Sequence, residues 1–295
     1  AQFRWVRRDG KAQQHTGITD ESNYGLTRWE LPDVEVPQSQ WAVHRAQLEA
    51  REVFHDFEMQ RKNSAGKVVG VSINGEPIFD KSGQFTGYRG VARDITARKL
   101  AEAEIQRLAF YDELTDLPNR RLLMDRLERA VELSKRDGTH GALLFLDLDN
   151  FKDLNDTKGH EWGDQLLVQV AHRISAQVRA SDTVARLGGD EFVVVLQGLC
   201  AHEPQAVIEA KASAQKILTA LNQPYILGSY EAYSTPSIGV TLFQGNPQSV
   251  QDLLKCADLA MYQAKAAGRN TVCFFDPSMQ AAAAARSALE GDIRL

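Results

Sequence analysis

The sequence predicts an α/β (α+β) chain of two domains: an antiparallel sheet domain, followed by a domain with a central, mostly antiparallel sheet covered by helices. Three observations predict it. At 295 residues the chain is long enough for two domains of ordinary size. Its first third carries closely spaced alternating runs joined by Gly-bearing turns. From about Tyr111 onward, apolar strand-like runs alternate with amphipathic helical ones.

Composition narrows the function classes. Hydrophobic residues make up 43% and charged residues 25%, the balance of a globular chain rather than a disordered one. A net charge of -5 argues against coating of nucleic acid, which needs a basic surface. A nucleotide-sized substrate stays open, because a small site can be locally basic. Cys200, Cys256 and Cys273 show no paired spacing and read as free thiols of a reducing, cytoplasmic compartment. No apolar run approaches the ~20 residues of a membrane span. The richest, Ala142 to Leu146, is short and ends in carboxylates, so it reads as a buried strand. The chain starts at Ala1 in a strand-like pattern without an initiator Met, which leads to the expectation of an excised fragment.

Residues 1–97 read as one unit. Phe3 and Trp5 alternate with arginines as in a half-buried strand, and Trp41 to Glu52 is the expected helix. Phe57, Met59 and Arg61 alternate with Glu58, Gln60 and Lys62, and Val69, Val71 and Ile73 follow the turn Asn63 to Gly66. Ile78 and Phe79 lead into the turn Asp80 to Gly83, and a last strand runs from Phe85 to about Ile95. This sheet, closing in Arg93-Asp94-Ile95-Thr96, resembles the PAS family of sensor domains. His15, His44 and His55 are lone histidines and read as surface or core residues rather than haem ligands.

Residues 98–110 form a helical linker. Ala101, Ile105 and Leu108 are spaced four and three, the step of a coiled-coil seam. A helix packed on its own domain and a parallel dimer helix both satisfy that spacing. In residues 111–276 helices are expected at Leu122 to Arg136, Gln165 to Arg179, near Ala206 to Leu221, and Val250 to Ala267. Strands are expected at Ala142 to Asp149, Thr183 to Leu187, Phe192 to Leu196, near Ser237 to Phe243, and Thr271 to Phe275. Residues 277–295 read as an Ala-rich helical connector.

Two acidic segments carry the chemistry. In Leu146-Asp147-Leu148-Asp149, strand periodicity sets Asp147 and Asp149 on one face. Carboxylates on so apolar a strand are costly to desolvate unless paired or metal-bound, although aspartates at a strand end also serve as caps. Gly188-Gly189-Asp190-Glu191 lies between two apolar runs and is a hairpin tip presenting its acids. Two such segments in one sheet can converge into a hard-cation site with a phosphate completing the shell.

Gly188-Gly189-Asp190-Glu191-Phe192 is the signature of the GGDEF family of diguanylate cyclases, which residues 108–276 resemble. Asp112 to Arg121, Asp147 to Lys152, Asn155-Asp156, Gly159-His160 and Gly163-Asp164 resemble the family's other motifs. The resemblance implies a palm-like fold, GTP as substrate and cyclic di-GMP as product. It implies that Asp147, the Leu148 carbonyl and Asp190 hold two Mg²⁺ or Mn²⁺ ions, with Asp190 also the base for the ribose 3′-hydroxyl and Glu191 a third acid nearby. Lys152 and the backbone at Asn150 and Phe151, with Lys265 and Arg269, would hold phosphates. Asn155 and Asp164 would read guanine, and His160 matches the same loop. Arg179 and Asp182 form an RxxD separated by five residues from Gly188, the spacing of the family's inhibitory product site. The reaction needs a homodimer, since one site holding one GTP cannot close a symmetric two-nucleotide ring. A silent domain that binds GTP or cyclic di-GMP and regulates a phosphodiesterase is the rival expectation. A template-directed nucleotidyl transferase is disfavoured by the acidic charge. The final stretch, ending on Ile293 and Leu295, resembles the connector to a C-terminal EAL phosphodiesterase domain. The ligand of the PAS-like segment is unknown.

Overall fold

The structure is a computed structural model that describes residues 3–4, 25–31, 34–63, 65–245 and 249–279. Trp5, His15 and residues 280–295 of the Ala-rich connector lie outside the described residues. The chain divides into two compact units, Ala1–Gln106 and Arg107–Leu295.

In the first unit, β1 (Val34–Glu35), β2 (Phe54–Lys62), β3 (Val68–Phe79) and β4 (Phe85–Asp94) form an antiparallel sheet in that order. The alternation read from sequence is what buries it: Phe57 and Met59 of β2 and Val69, Val71 and Ile73 of β3 share a core with Leu31, Leu48 and Phe54. Helix α1 spans Gln38–Glu49, three residues earlier at each end than expected. Pro37 stands at its N-cap, and Arg51, at φ 60°, takes the chain out of the helical region behind it. His44 of α1 is a core residue, 1% exposed, with its ring stacked 3.8 Å from that of Phe57, while His55 lies on the surface.

Helix α2 (Thr96–Phe110) starts where Thr96 accepts a hydrogen bond from the Gly70 N–H at 3.0 Å and donates its own N–H to Asp94 at 2.8 Å. It buries no residue, and Leu100, Ile105 and Leu108 stand exposed at 62%, 66% and 44%.

The second unit is built on a five-stranded sheet of β5 (His140–Leu148), β6 (Thr183–Gly188), β7 (Glu191–Leu199), β10 (Pro236–Phe243) and β11 (Val272–Phe274). Their order is β11-β10-β5-β7-β6, and β10–β11 is its parallel pair. Central β5 is buried throughout. Leu144, Leu146 and Leu148 face a core with α5 (His160–Ser175) and α6 (Glu203–Leu221), while Leu143 and Phe145 face α3 (Arg120–Asp137) and α7 (Val250–Ala266). Cover on both faces is why β5 reads as a continuous apolar run rather than an alternating one.

In the second unit a helix and a hairpin stand where the sequence reading had neither. Helix α4 (Phe151–Lys158) occupies what reads as loop, and Gly159, at φ 94°, separates it from α5, which begins five residues ahead of the expected start. Its Asn, Asp and Thr are weak helix formers, so packing rather than propensity holds it. A short hairpin, β8 (Tyr225–Leu227) with β9 (Tyr230–Ala232), was not expected. Gln169 of α5 fastens it by donating to the Ile226 carbonyl at 2.7 Å.

Candidate active site

The C-terminal end of β5 and the tip of the β6–β7 hairpin meet. In register, Asp147 lies directly opposite Glu191 on β7 and opposite Ser237 on β10. Like charges facing each other across a ladder repel. Asp147 is 8% exposed, and Lys265, from the last turn of α7, reaches its Oδ1 with Nζ at 2.6 Å. Burial above all, with the charges of Asp190 and Glu191 added, pushes the Asp147 carboxyl up to about 6 despite the lysine. Glu191 is likewise raised, by burial first and then by Asp258 and Asp190, with Arg120 and Lys265 opposing.

The tip itself is a two-residue loop, Gly189-Asp190, closed by the pairing of Gly188 with Glu191. Gly189 sits at φ 51°, where a side chain is disfavoured. Arg186 on β6 donates from Nε and Nη2 to the Gly189 carbonyl at 3.1 and 2.8 Å and from Nη1 to both oxygens of Asp112 at 2.9 and 3.0 Å.

Asp149 keeps to the face of Asp147, as expected, but has other partners. Ser237 stands opposite Asp147 in the ladder and its hydroxyl donates to Asp149 at 2.7 Å. The Asp149 carboxylate also accepts from Thr235 Oγ1 at 2.7 Å and the Asn270 N–H at 3.1 Å. Asp149 is a structural carboxylate that ties β10 and the start of the last strand to β5.

Among the described residues no three His, Cys, Asp or Glu side chains are gathered closely enough to form a metal cage. The chemistry of Asp147, Asp190 and Glu191 nevertheless suits a hard divalent cation. The charges of Asp190 and Glu191 raise the Asp147 carboxyl, that of Asp190 raises Glu191, and an ammonium already stands against Asp147. The Leu148 side chain lies in the core, which leaves its carbonyl as the group able to serve as a ligand.

The phosphate and base residues lie on neighbouring elements. Phe151 opens α4 and is buried, and Lys152 beside it is exposed. Asn150, Phe151, Leu154, Leu166, Tyr233 and Thr235 line a cavity of about 160 Å³. Asn155 carries a buried Oδ1 with no hydrogen-bond partner. A Cβ on Gly163 would come within 2.0 Å of that oxygen, so α5 needs a glycine to pass it. His160 and Asp164 are exposed on the first turns of α5. Arg269, just past α7 at φ 63°, is exposed and is not drawn onto Asp147 with Lys265.

Asp182 does not pair with the guanidinium of Arg179. It accepts from the backbone N–H groups of Arg179 at 2.8 Å and Gln197 at 3.1 Å. The exposed Arg179 side chain borders a cavity of about 310 Å³ with His140, Ser181, Gln197 and Phe243.

Sequence reasoning missed three contributors. Arg186 carries no signal of its own, because its partner lies 74 positions away. Arg120 sits inside a motif that was singled out, without a role. Asp258 precedes Lys265 by two turns of α7, and that shared face was the available signal.

The family model described as "Diguanylate cyclase, GGDEF domain" matches residues 109–271. MucR of Pseudomonas aeruginosa, a bifunctional diguanylate cyclase/cyclic di-GMP phosphodiesterase, is 47% identical over 202 residues, which make up 68% of this chain and 29% of MucR. The solved GGDEF domain of TpbB (YfiN) from Pseudomonas aeruginosa superposes with a TM-score of 0.54 at 37% identity, covering 58% of this chain and 96% of that one. The coiled coil and GGDEF domain of DgcB from Caulobacter crescentus, solved with c-di-GMP, gives a TM-score of 0.53 at 30% identity, covering 60% of this chain and 93% of that one. With the signature at the tip of a two-residue hairpin and the family match spanning more than half its length, the chain belongs to the GGDEF diguanylate cyclase domain family.

Proposed function

We propose that this chain is an active diguanylate cyclase that condenses two GTP molecules into cyclic di-GMP and two pyrophosphates. The observation that carries the reading is the desolvated acidic pair across β5 and β7, Asp147 opposite Glu191, with Asp190 at the adjoining tip. Such a pair serves folding poorly and serves a cationic, phosphate-bearing ligand well.

Each 3′-hydroxyl oxygen attacks the α-phosphorus of the other GTP. The bond from that phosphorus to the bridging oxygen breaks, and pyrophosphate leaves. Bound Mg²⁺ or Mn²⁺, two per site, would supply Lewis-acid polarisation of the phosphates; Asp147, Asp190 and the Leu148 carbonyl would hold them. Asp190 takes the proton of the attacking hydroxyl, and Glu191 adds negative charge beside it. Lys152, the backbone at Asn150 and Phe151, Lys265 and Arg269 hold the triphosphate. When phosphates arrive, Lys265 exchanges one anionic partner for another. The unsatisfied Oδ1 of Asn155 is an acceptor for a guanine N–H, and Asp164 accepts a second, a pair of donors adenine lacks. His160 borders the base.

Two such domains must face each other, and the exposed seam of α2 is the surface proposed to pair them. In this reading the first unit is a PAS-like sensor in a cytoplasmic signalling protein, Arg179 with Asp182 marks an inhibitory product site, and the parent chain continues into an EAL domain. The similarity to bifunctional MucR supports that last step.

The test is to incubate the purified chain with GTP and Mg²⁺ and measure pyrophosphate and cyclic di-GMP. Both are expected to appear in a 2:1 ratio, to vanish with EDTA, and to fall by about 10³-fold or more in Asp190→Asn with the fold retained. GTP binding without pyrophosphate release would replace this reading with the silent regulatory module.

A further inference from the structure

The motif Asp112 to Arg121 enters no step of the proposed reaction, yet the structure joins it to the signature hairpin. Asp112 follows the end of α2 by two residues. Its N–H donates to the Leu117 carbonyl at 2.8 Å, and its carboxylate accepts from Thr115 N at 2.9 Å and Thr115 Oγ1 at 2.6 Å. These bonds close a tight loop. Asn119 fastens that loop to the last turn of α2, donating its N–H to the Phe110 carbonyl at 2.9 Å and Nδ2 to the Ala109 carbonyl at 3.1 Å.

Arg186 bridges the loop to the tip. One edge of its guanidinium holds both Asp112 oxygens, and the other holds the Gly189 carbonyl, next to Asp190. Its backbone N–H also donates to the Pro118 carbonyl at 3.0 Å. The two side chains are only 10% and 21% exposed, so the pair is partly shielded from water. A planar fork with donors on both edges can serve two acceptors at fixed positions, which a lysine ammonium cannot do.

We propose that Arg186 is a positioning residue that clamps the signature hairpin to the 111–119 loop, so that the loop at the end of α2 and the tip bearing Asp190 move as one piece. Its effect on turnover rests on the cyclase reading, but its effect on the hairpin does not. A tip without side chains at Gly188 and Gly189 has little else to fix it, and a shift of about 1 Å in a reacting group can cost about 10²-fold in rate.

The experiment uses Arg186→Lys, which keeps a positive charge beside Asp112, and Asp112→Asn, which touches no signature residue. Amide hydrogen exchange is measured on the nucleotide-free 295-residue chain, alongside steady-state kinetics. In both variants Gly189, Asp190 and Glu191 are expected to exchange about tenfold faster while Val193 to Val195 keep their protection. Turnover is expected to fall about 10- to 100-fold with KM for GTP within about threefold. Unchanged tip exchange in Arg186→Lys would overturn the clamp. So would loosening in Arg186→Lys that Asp112→Asn does not reproduce, since the loop would then play no part. Faster exchange spread evenly over β5, β6 and β7 would reduce Arg186 to a general stabiliser and also refute the proposal. If the wild-type chain makes no product, the cyclase reading fails, and the exchange data alone decide the clamp.

Discussion

At the scale of single residues, identical letters in a motif do different work. Arg179 and Asp182 read as a matched pair, yet one is exposed and the other is a backbone acceptor. Their substitutions should therefore separate. Arg179→Ala is expected to leave the melting temperature and initial rate unchanged and to relieve inhibition by added cyclic di-GMP, because guanine O6 and N7 lose a bidentate donor. Asp182→Ala strands two backbone N–H groups and should cost about 1–3 kcal/mol of stability, read as a lowered denaturation midpoint. Equal melting for both variants would refute the structural assignment of Asp182, and unaltered inhibition in Arg179→Ala would remove the product site. Asp147 and Asp149 diverge in the same way. Spacing set both on one face, but Asp149 is taken up by Thr235, Ser237 and the Asn270 N–H while Asp147 meets Lys265, partners far along the chain that no spacing rule reveals.

At the scale of elements, the sheets were legible because their burial is periodic: β2 and β3 alternate, and β5 is apolar throughout because helices cover both faces. Helix α4 and the β8–β9 hairpin were not legible, since a mostly polar eight-residue helix and two three-residue strands owe their form to neighbours. The seam between α1 and its sheet makes a pH prediction. Burial, and then the charge of Arg28, lowers the His44 imidazole from 6.5 to about 4, and its Nε2 lies 3.0 Å from that guanidinium. The unfolded chain takes up a proton near pH 6.5 while the folded one resists until about pH 4. Stability is then complete above pH 6.5 and is lost progressively as pH falls toward 4, by at most about 3 kcal/mol. Protection factors of β2 and β3 amides should fall between pH 6.5 and 5 in the wild type and stay level in His44→Phe. A wild-type profile as flat as the variant's would show that His44 is already accommodated when charged.

At the scale of the whole molecule, α2 carries an apolar edge that the described chain leaves to solvent. Ile105→Asp should lower the dimer fraction in sedimentation velocity and reduce turnover at low protein concentration, while the melting temperature of the dilute, monomeric chain stays unchanged, because Ile105 is 66% exposed. A dimer undiminished by that substitution would place the pairing surface elsewhere. The three bonds at Asp149 have a further consequence, for synthesis rather than chemistry. One of them reaches Asn270 across 121 positions, and Lys265 comes from the same late part of the chain. As the polypeptide leaves the ribosome, the signature hairpin is complete long before either residue exists. The nascent domain therefore carries a full set of acidic letters with no balancing ammonium and no tie between its first and last strands. Competence arrives only with the final strand, and a chain broken off ahead of it would display the motif without having assembled the site.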